Sequence, residues 1–422
     1  MLCKDAKTGA LPLNLLVLSQ LVPYPPDSGP KVRLYYVLRY LAQAHRITLL
    51  AFSRPDDRPE SIDALREICA EVLTVPMSRP AWREVKAFIN GWASGRSYLI
   101  ERNLNPEMSA AVREVATRET FDGIFADQLW MAEYARMGGA LQSKASLVLD
   151  NHNAVFQVFQ RLASGEHHPL RRLAMEIEWR ILRRYEAKTC TAFDQVVTVT
   201  AEDRSLLEPL ATGLGRSASS GDSHFHVIPI CVDPGPSAVE RPRNGTANVL
   251  HLGTMYWPPN VEGVLWFARS VWPKVRAEVP TAHLTIAGKN PPRSIRSLGQ
   301  SAEGISIAGY LPDPEICVGQ ASVFIVPLHS GGGMRVKILD GWRWGVPIVS
   351  TRLGAEGLSF VDGEHLLIAD GESAFADAVI RVLRDPQLGR RLGEAGRRWV
   401  ESRYDWRRVY PAWDSVIDRQ AA

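Results

Sequence analysis

The sequence predicts an α/β protein made of two doubly wound, Rossmann-like parallel-sheet domains facing a cleft. Three observations carry this. Short β-branched runs alternate with helical patterns. The runs are apolar throughout, as strands buried on both faces are. The rhythm stops once, in a stretch rich in proline and polar residues, and then starts again. The 422 residues suit two domains better than one core.

In the first half, strands are expected at 13–19, 47–53, 71–76, 122–127, 146–151, 195–200 and 226–231, with a helix over 32–44. Residues 212–223 are Gly/Ser-rich and read as a surface loop. Residues 232–246 read as an interdomain linker. The second half predicts strands at 247–253, 282–288, 305–310, 322–328, 347–351 and 365–369. Its helices are expected over 260–278, 334–344, 372–384 and 387–402. Ligands of open α/β sheets bind beyond the carboxyl ends of the strands, so polar residues there are the site candidates.

Composition narrows the function classes. Apolar residues make up 45% and charged residues 23%, which are globular values. A net charge of +3 gives no reason to expect a nucleic-acid partner. The five cysteines, Cys3, Cys69, Cys190, Cys231 and Cys317, form no CxxC pair, which fits a reducing compartment. No run nears the roughly 20 apolar residues of a membrane span. Residues 1–12 read as a loose tail without a basic-then-apolar leader. The expected location is therefore cytoplasmic.

The most informative segment is HSGGGMRVKILDGWRWGVPIVSTRLGAEGL, residues 329–358. Gly331, Gly332 and Gly333 follow a strand and open a helix, where absent Cβ atoms let a ligand approach the backbone. Helix-start amides favour an anion such as phosphate. Arg335 and Lys337 in a first helical turn conflict with the macrodipole unless an anion is present. Met334, Ile338 and Trp342 mark the buried face; Gly333, Lys337 and Asp340 share another. A Gly-rich turn capping a surface helix is an equally good reading of these residues alone.

Together with its surroundings this segment resembles the donor-site helix of glycosyltransferase family 4, which has the GT-B fold and transfers sugars with retention. VTVTAEDRSLL (197–207), VIPICVDP (227–234), VLHLGTMYWPPNVEGVLWF (249–267), LTIAGKNP (284–291) and ISIAGYLPDPE (305–315) resemble further family segments in the right order. LSQLVPYPPDSGPKVRLYYVLRYLA (18–42) resembles its opening loop and helix. The likeness spans most of residues 13–410 and is nearest to the bacterial exopolysaccharide-associated branch.

The resemblance implies an acceptor-side domain over 13–231, a nucleotide-sugar domain over 247–402, and a C-terminal helix over 403–422 that packs back on the first domain. It implies that Asp340 holds the donor ribose, and that Gly331, Gly332 and Gly333 face the diphosphate and the sugar. Arg335 and Lys337 would stabilise the departing phosphate charge. Gly253, Thr254 and Lys289 would lie at donor-facing strand ends, and Tyr310 and Leu311 near the base. The sequence departs from the family pattern at Gly332, where the first acid of a pair is usual, and at Asp340, where glutamate is. GTMYWPPN (253–260) replaces a common basic pair.

In the first domain, Asp127 with Gln128, and Asp150 with His152 and Asn153, stand at strand ends that should meet acceptor or donor sugar. Strand-end capping is the bland alternative. Gly29, Lys31 and Arg33 form a loop-to-helix start that could approach the donor phosphate or acceptor, with a plain helix start as the alternative. The pairs His224/His226 and His167/His168 have no partners at metal-ligand spacing, no DxD triplet occurs, and no metal or cofactor is expected beyond the nucleotide-sugar substrate. Two basic, aromatic-bearing helical stretches, 79–103 and 169–188, each read singly as ordinary amphipathic helices with solvated arginines, and as a pair suggest contact with an anionic membrane surface near a glycan or lipid-linked acceptor. A nucleotide-sugar epimerase and a non-enzymatic sugar-binding protein are the competing readings.

Overall fold

A computed structural model describes residues 12–77, 81–142, 144–214, 224–235, 247–311 and 313–417. The expected tail up to residue 11, the core of the Gly/Ser-rich loop (215–223), most of the linker (236–246), Cys3 and the last five residues lie outside them. The chain divides into two compact units. One is residues 1–230 with 409–422; the other is residues 231–408.

The first unit holds a seven-stranded parallel sheet. Its strands are β1 (Asn14–Ser19), β2 (Arg46–Ser53), β3 (Glu71–Pro76), β4 (Gly123–Asp127), β5 (Ser146–Asn151), β6 (Gln195–Thr198) and β7 (Phe225–Val227), in the order β3-β2-β1-β4-β5-β6-β7. Strands β1 and β4 are buried almost end to end, because helices cover both faces. The order reverses beside β1, so crossovers leave a switch point at the carboxyl ends of β1 and β4. The strand expected at 226–231 is shorter than the apolar run suggested, since Pro229 carries no amide to extend the ladder. Residues after Arg403 form three contiguous short helical segments, Trp406–Val409, Tyr410–Trp413 and Asp414–Ile417, the middle one a 3-10 turn. Trp413 packs on Phe125, and Tyr40 donates its hydroxyl to Asp414 at 2.7 Å.

The second unit has a six-stranded parallel sheet: β8 (Asn248–Leu252), β9 (His283–Ala287), β10 (Ile305–Gly309), β11 (Val323–Val326), β12 (Ile348–Ser350) and β13 (Leu367–Ile368), ordered β10-β9-β8-β11-β12-β13. β11 is fully buried, while edge strand β10 alternates, as one-sided burial requires. The helical region after β8 is continuous from Pro258 to Glu278, with a five-residue π segment, Phe267–Val271, in its middle. Helix Val336–Arg343 buries Ile338 and Trp342 as the spacing predicted; Met334 is buried too, but ahead of the helix.

Two glycines set close backbone approaches, one between a helix and a strand end and one between two strand ends. A Cβ at Gly263 would stand 2.2 Å from the Pro327 carbonyl oxygen. A Cβ at Gly288 would fall 1.7 Å from that of Gly253. Both neighbours are backbone atoms and cannot rotate away. Gly263→Ala is therefore expected to destabilise the second unit by about 1–3 kcal/mol, the usual cost of overpacking, read as a lower denaturation midpoint in urea.

Candidate functional site

In the first unit, the carboxyl ends of β1, β4 and β5 bring together a closed set of charges. Asp127 and Asp150 are register partners on adjacent strands. The Ser19 hydroxyl donates to Asp127 Oδ2 at 2.8 Å. His152 follows β5, and its Nε2 lies 3.0 Å from Asp127 Oδ1 and 3.6 Å from Asp150 Oδ2. Arg33 forks onto Asp150, Nε to Oδ2 at 3.0 Å and Nη2 to Oδ1 at 2.9 Å. All four charged side chains are buried.

Burial alone would strip the proton from His152, but Asp127 and then Asp150 outweigh it and hold the imidazole up to about 9. Burial likewise opposes the charge on Asp150, yet Arg33 and His152 keep its carboxyl well below the usual range. The site is thus two carboxylates matched by a guanidinium and an imidazolium. Both ring nitrogens of His152 are buried without a hydrogen bond among the described residues: Nε2 meets Asp127 as an ion pair only, and Nδ1 has no partner. In the charged ring it is a spare N–H donor, so His152 can donate to a ligand oxygen but cannot take a proton from one. Asp127, Asp150 and His152 each offer an atom within 4.8 Å of the others, the spacing a metal ion could use. With Arg33 already on Asp150 and a proton on His152, the arrangement suits an ion-paired imidazolium better than a metal ligand set.

Gln128, next to Asp127, is one of two non-glycine residues with positive φ among those described, at 70°. Its amide donates to the Asp150 carbonyl at 2.9 Å, which holds the strained turn. Such strain tends to sit at functional positions. The expectation for Arg33 needs correction. It is wholly buried, also donates to the Pro229 carbonyl at 2.7 Å, and lies over Tyr410 and Trp413; it is an internal clamp, not a phosphate-facing residue. Gly29 is the first residue of helix Gly29–Leu41, and Lys31 pairs with Asp27 at 3.5 Å. Asn153 is partly exposed just before helix Val155–Gly165.

Sequence reading missed Glu186. It comes from helix Pro169–Ala192, is fully buried, and accepts the amides of Val155 and Phe156 at 2.9 and 2.7 Å. It caps the helix that follows His152, and burial raises its carboxyl to about 7. Nothing local distinguishes it from the other acids of its helix. The histidine pairs bind no common point: His224 meets the Cys190 carbonyl, His226 meets Gln195, and His167 and His168 are exposed.

In the second unit, the carboxyl ends of β8, β9 and β10 are laced together. The Gly253 amide donates to the Ala287 carbonyl, Met255 to Lys289, and Gly288 to Gly309. Lys289 Nζ stands 4.4 Å from the Tyr310 ring, and Tyr310 is nearly half exposed. Leu311 is partly buried beside it. Asn290, the second positive-φ residue, follows Lys289 at 54°. Both strained positions thus directly follow predicted site residues.

The three glycines form a loop, with Gly331 and Gly333 at φ 103° and 75°. The helix begins only at Val336, so Lys337, its second residue, lies in the first turn as expected, while Arg335 is the N-cap just ahead of it, a correction. Arg335 folds back to donate to the Gly332 carbonyl. Lys337 Nζ donates to Asn260 Oδ1 at 2.8 Å, and Asn260 Nδ2 to the Thr254 carbonyl at 2.9 Å. Gly253, Thr254 and Lys337 therefore meet through Asn260. Burial, with Arg335 adding, pushes the Lys337 ammonium down to about 7. Asp340 pairs with Arg343 at 2.9 Å, and burial raises its carboxyl despite that partner. Asn260 and His251, which also borders Gly253, carried no sequence signal, because each reads as an ordinary element residue.

The charge set in the first unit makes a prediction about stability. The folded His152 holds its proton above the ordinary value of 6.5, so its contribution is full below about pH 6.5 and is lost as pH rises through about 9. Across that window the first unit should lose on the order of 3 kcal/mol. His152→Gln should flatten this dependence in denaturation measured from pH 6 to pH 9.5. An unchanged slope in the variant would remove the imidazolium from the account.

Comparison with known proteins bears on this geometry. Residues 246–385 match the family described as Glycosyl transferases group 1. A 44.6 kDa protein of the cps region of Klebsiella pneumoniae is 22% identical over 94% of this chain and 98% of its own length. A GDP-mannose-dependent alpha-(1-6)-phosphatidylinositol monomannoside mannosyltransferase of Mycolicibacterium smegmatis is 28% identical over 32% of this chain and 39% of its own. The crystal structure of Anabaena HepE in complex with UDP and glucose shares the fold at a TM-score of 0.66, with 12% identity over 96% of this chain and 100% of that one. The glycine loop, Lys337 and Asp340 thus lie inside a region similar to the Glycosyl transferases group 1 family, in a chain that shares the GT-B glycosyltransferase fold.

Proposed function

We propose that this glycosyltransferase moves a hexose from a nucleoside diphosphate sugar to a glycan or lipid-linked acceptor, with retention and without a metal ion, in cell-surface polysaccharide synthesis. The observation that carries the donor assignment is the meeting of Gly253, Asn260, Lys337 and the loop of Gly331, Gly332 and Gly333 at the strand ends of the matched domain. Two cations beside bare backbone suit a leaving diphosphate. Asp340, one turn along the helix, suits the ribose hydroxyls; Lys289, Tyr310 and Leu311 suit the base. The cps-region relative supports a role in polysaccharide synthesis.

In this reading no protein nucleophile is used. The acceptor attacks from the face the nucleotide leaves, and the departing phosphate takes the acceptor's proton. That agrees with His152, which is an imidazolium between two carboxylates and so donates a hydrogen bond to a sugar oxygen while Asp127 positions it. An epimerase would need acids and histidines converging on one sugar carbon, and the donor-side cluster around Gly253 offers lysine, asparagine and a single histidine, with no acid.

The membrane reading is sharpened by exposure. Helix Ala81–Ser94 presents Trp82, Val85, Phe88 and Ile89 to solvent, all near 60% exposed. Helix Pro169–Ala192 presents Leu170 and Leu173 beside the exposed Arg171 and Arg172. Glu178 of the latter accepts from the Ser97 hydroxyl at 2.5 Å and the Leu99 amide at 3.1 Å, which fixes it to the segment following the first helix. Apolar side chains flanked by arginine suit an anionic bilayer at its inner face.

Two experiments test this. Calorimetry of UDP, GDP, ADP and dTDP, without added metal, should show one nucleotide preferred and its affinity reduced at least about tenfold in Asp340→Ala, the scale of a lost hydrogen bond to a charged group. Affinity indifferent to Asp340 would misplace the ribose, and no binding by folded protein would count against the transferase reading. The protein should also co-sediment with vesicles containing phosphatidylglycerol, and Trp82→Glu/Phe88→Glu should release it without altering nucleotide affinity. Equal sedimentation of the variant would discard this face as the contact.

A further inference from the structure

Lys337 has no acid beside it: its polar contacts are neutral and its charged neighbour is a cation. From helix Pro258–Trp266, Asn260 turns its oxygen to the lysine because its nitrogen is engaged by the Thr254 carbonyl. From β8, His251 is wholly buried with Nδ1 on the Ile325 carbonyl at 3.1 Å. A carbonyl only accepts, so Nδ1 carries the proton and Nε2 is a bare acceptor. That Nε2 has no hydrogen-bond partner among the described residues. A Cβ on Gly253 would stand 2.9 Å from Lys337 Nζ and 3.2 Å from His251 Nε2, so both atoms border the same small space. The charged neighbour of Lys337 is Arg335, of like sign, and Asp340 on the next turn is taken by Arg343.

We propose that Lys337 takes up a proton from solvent as the donor's diphosphate binds, and that His251 is the positioning residue for this step. The ammonium so formed has three N–H donors. Asn260 Oδ1 accepts one, His251 Nε2 a second and a phosphate oxygen the third. This rests on reading the glycine loop as the diphosphate site.

The electrostatics agree with the geometry. Without an anion, burial and then Arg335 oppose the charge on Lys337 and leave it near the neutral point of solution. Burial, and then the lysine itself, hold His251 well below its ordinary value, so the imidazole does not compete for the proton. A diphosphate reverses the sign of the local field and restores the ammonium. The bound state then carries more protons than the free state, and affinity falls as pH rises above about 7.

The test is calorimetry of the tightest binder among UDP, GDP, ADP and dTDP at about pH 8, where its phosphates are fully ionised, in buffers of different ionisation enthalpy. Wild type should take up close to one proton, and its Kd should rise towards tenfold per pH unit above that. Lys337→Gln should bind more weakly with no uptake. His251→Val should bind about tenfold more weakly, and His251→Gln, which keeps an acceptor, should recover most of the loss. Binding without proton uptake in wild type, or uptake that persists in Lys337→Gln, overturns the inference and leaves the diphosphate site standing. Absence of binding by all four nucleotides overturns both.

Discussion

The buried fork between Arg33 and Asp150 is the interaction on which the first unit is arranged. A guanidinium and a carboxylate are costly to take out of water, and they are stable there only with good geometry and every remaining donor satisfied. Here the geometry is bidentate, and the spare guanidinium nitrogen reaches the Pro229 carbonyl. The fork ties helix Gly29–Leu41 to the end of β5 and to the exit of β7, while Tyr410 and Trp413 close over the cation. It also fixes what His152 can be. Asp150 stays ionised because of Arg33, and two ionised acids make the neighbouring histidine a cation.

The second unit is organised by the absence of side chains. Gly288 lets β9 leave the sheet against the carbonyl of Gly253, and Gly253 leaves the space bordered by Lys337, Asn260 and His251. Bulk at either position would close the space in which the polar atoms meet. The two units thus assemble their polar strand ends by opposite means, one filled with compensated charge and one kept open beside lysine, asparagine and histidine.

Much of this was legible in the residues. Apolar runs without alternation placed the parallel strands to within a residue or two, because burial on both faces leaves no room for polar positions. The clearest excess was at 226–231, where Pro229 ends a run that is apolar but not a strand. The resemblance in residues 329–358 brought attention to Lys337 and Asp340. Arg33 was misread because a basic residue in a helix start looks the same whether it faces an anion or a carboxylate distant in sequence. Its partner stands 117 residues away.

By itself the sequence determined the alternating α/β order, the two sheets, the glycine loop and the chemical types available at the strand ends. Those follow from local pattern: periodicity, backbone freedom and the loss of amides at proline. Only the tertiary structure decided which charges meet. The imidazolium state of His152, the capping role of Glu186, the internal duty of Arg33 and the buried polar contacts of Lys337 all depend on burial and on partners far along the chain. Coulomb interactions between buried groups are set by distances of a few ångströms, and only packing fixes those.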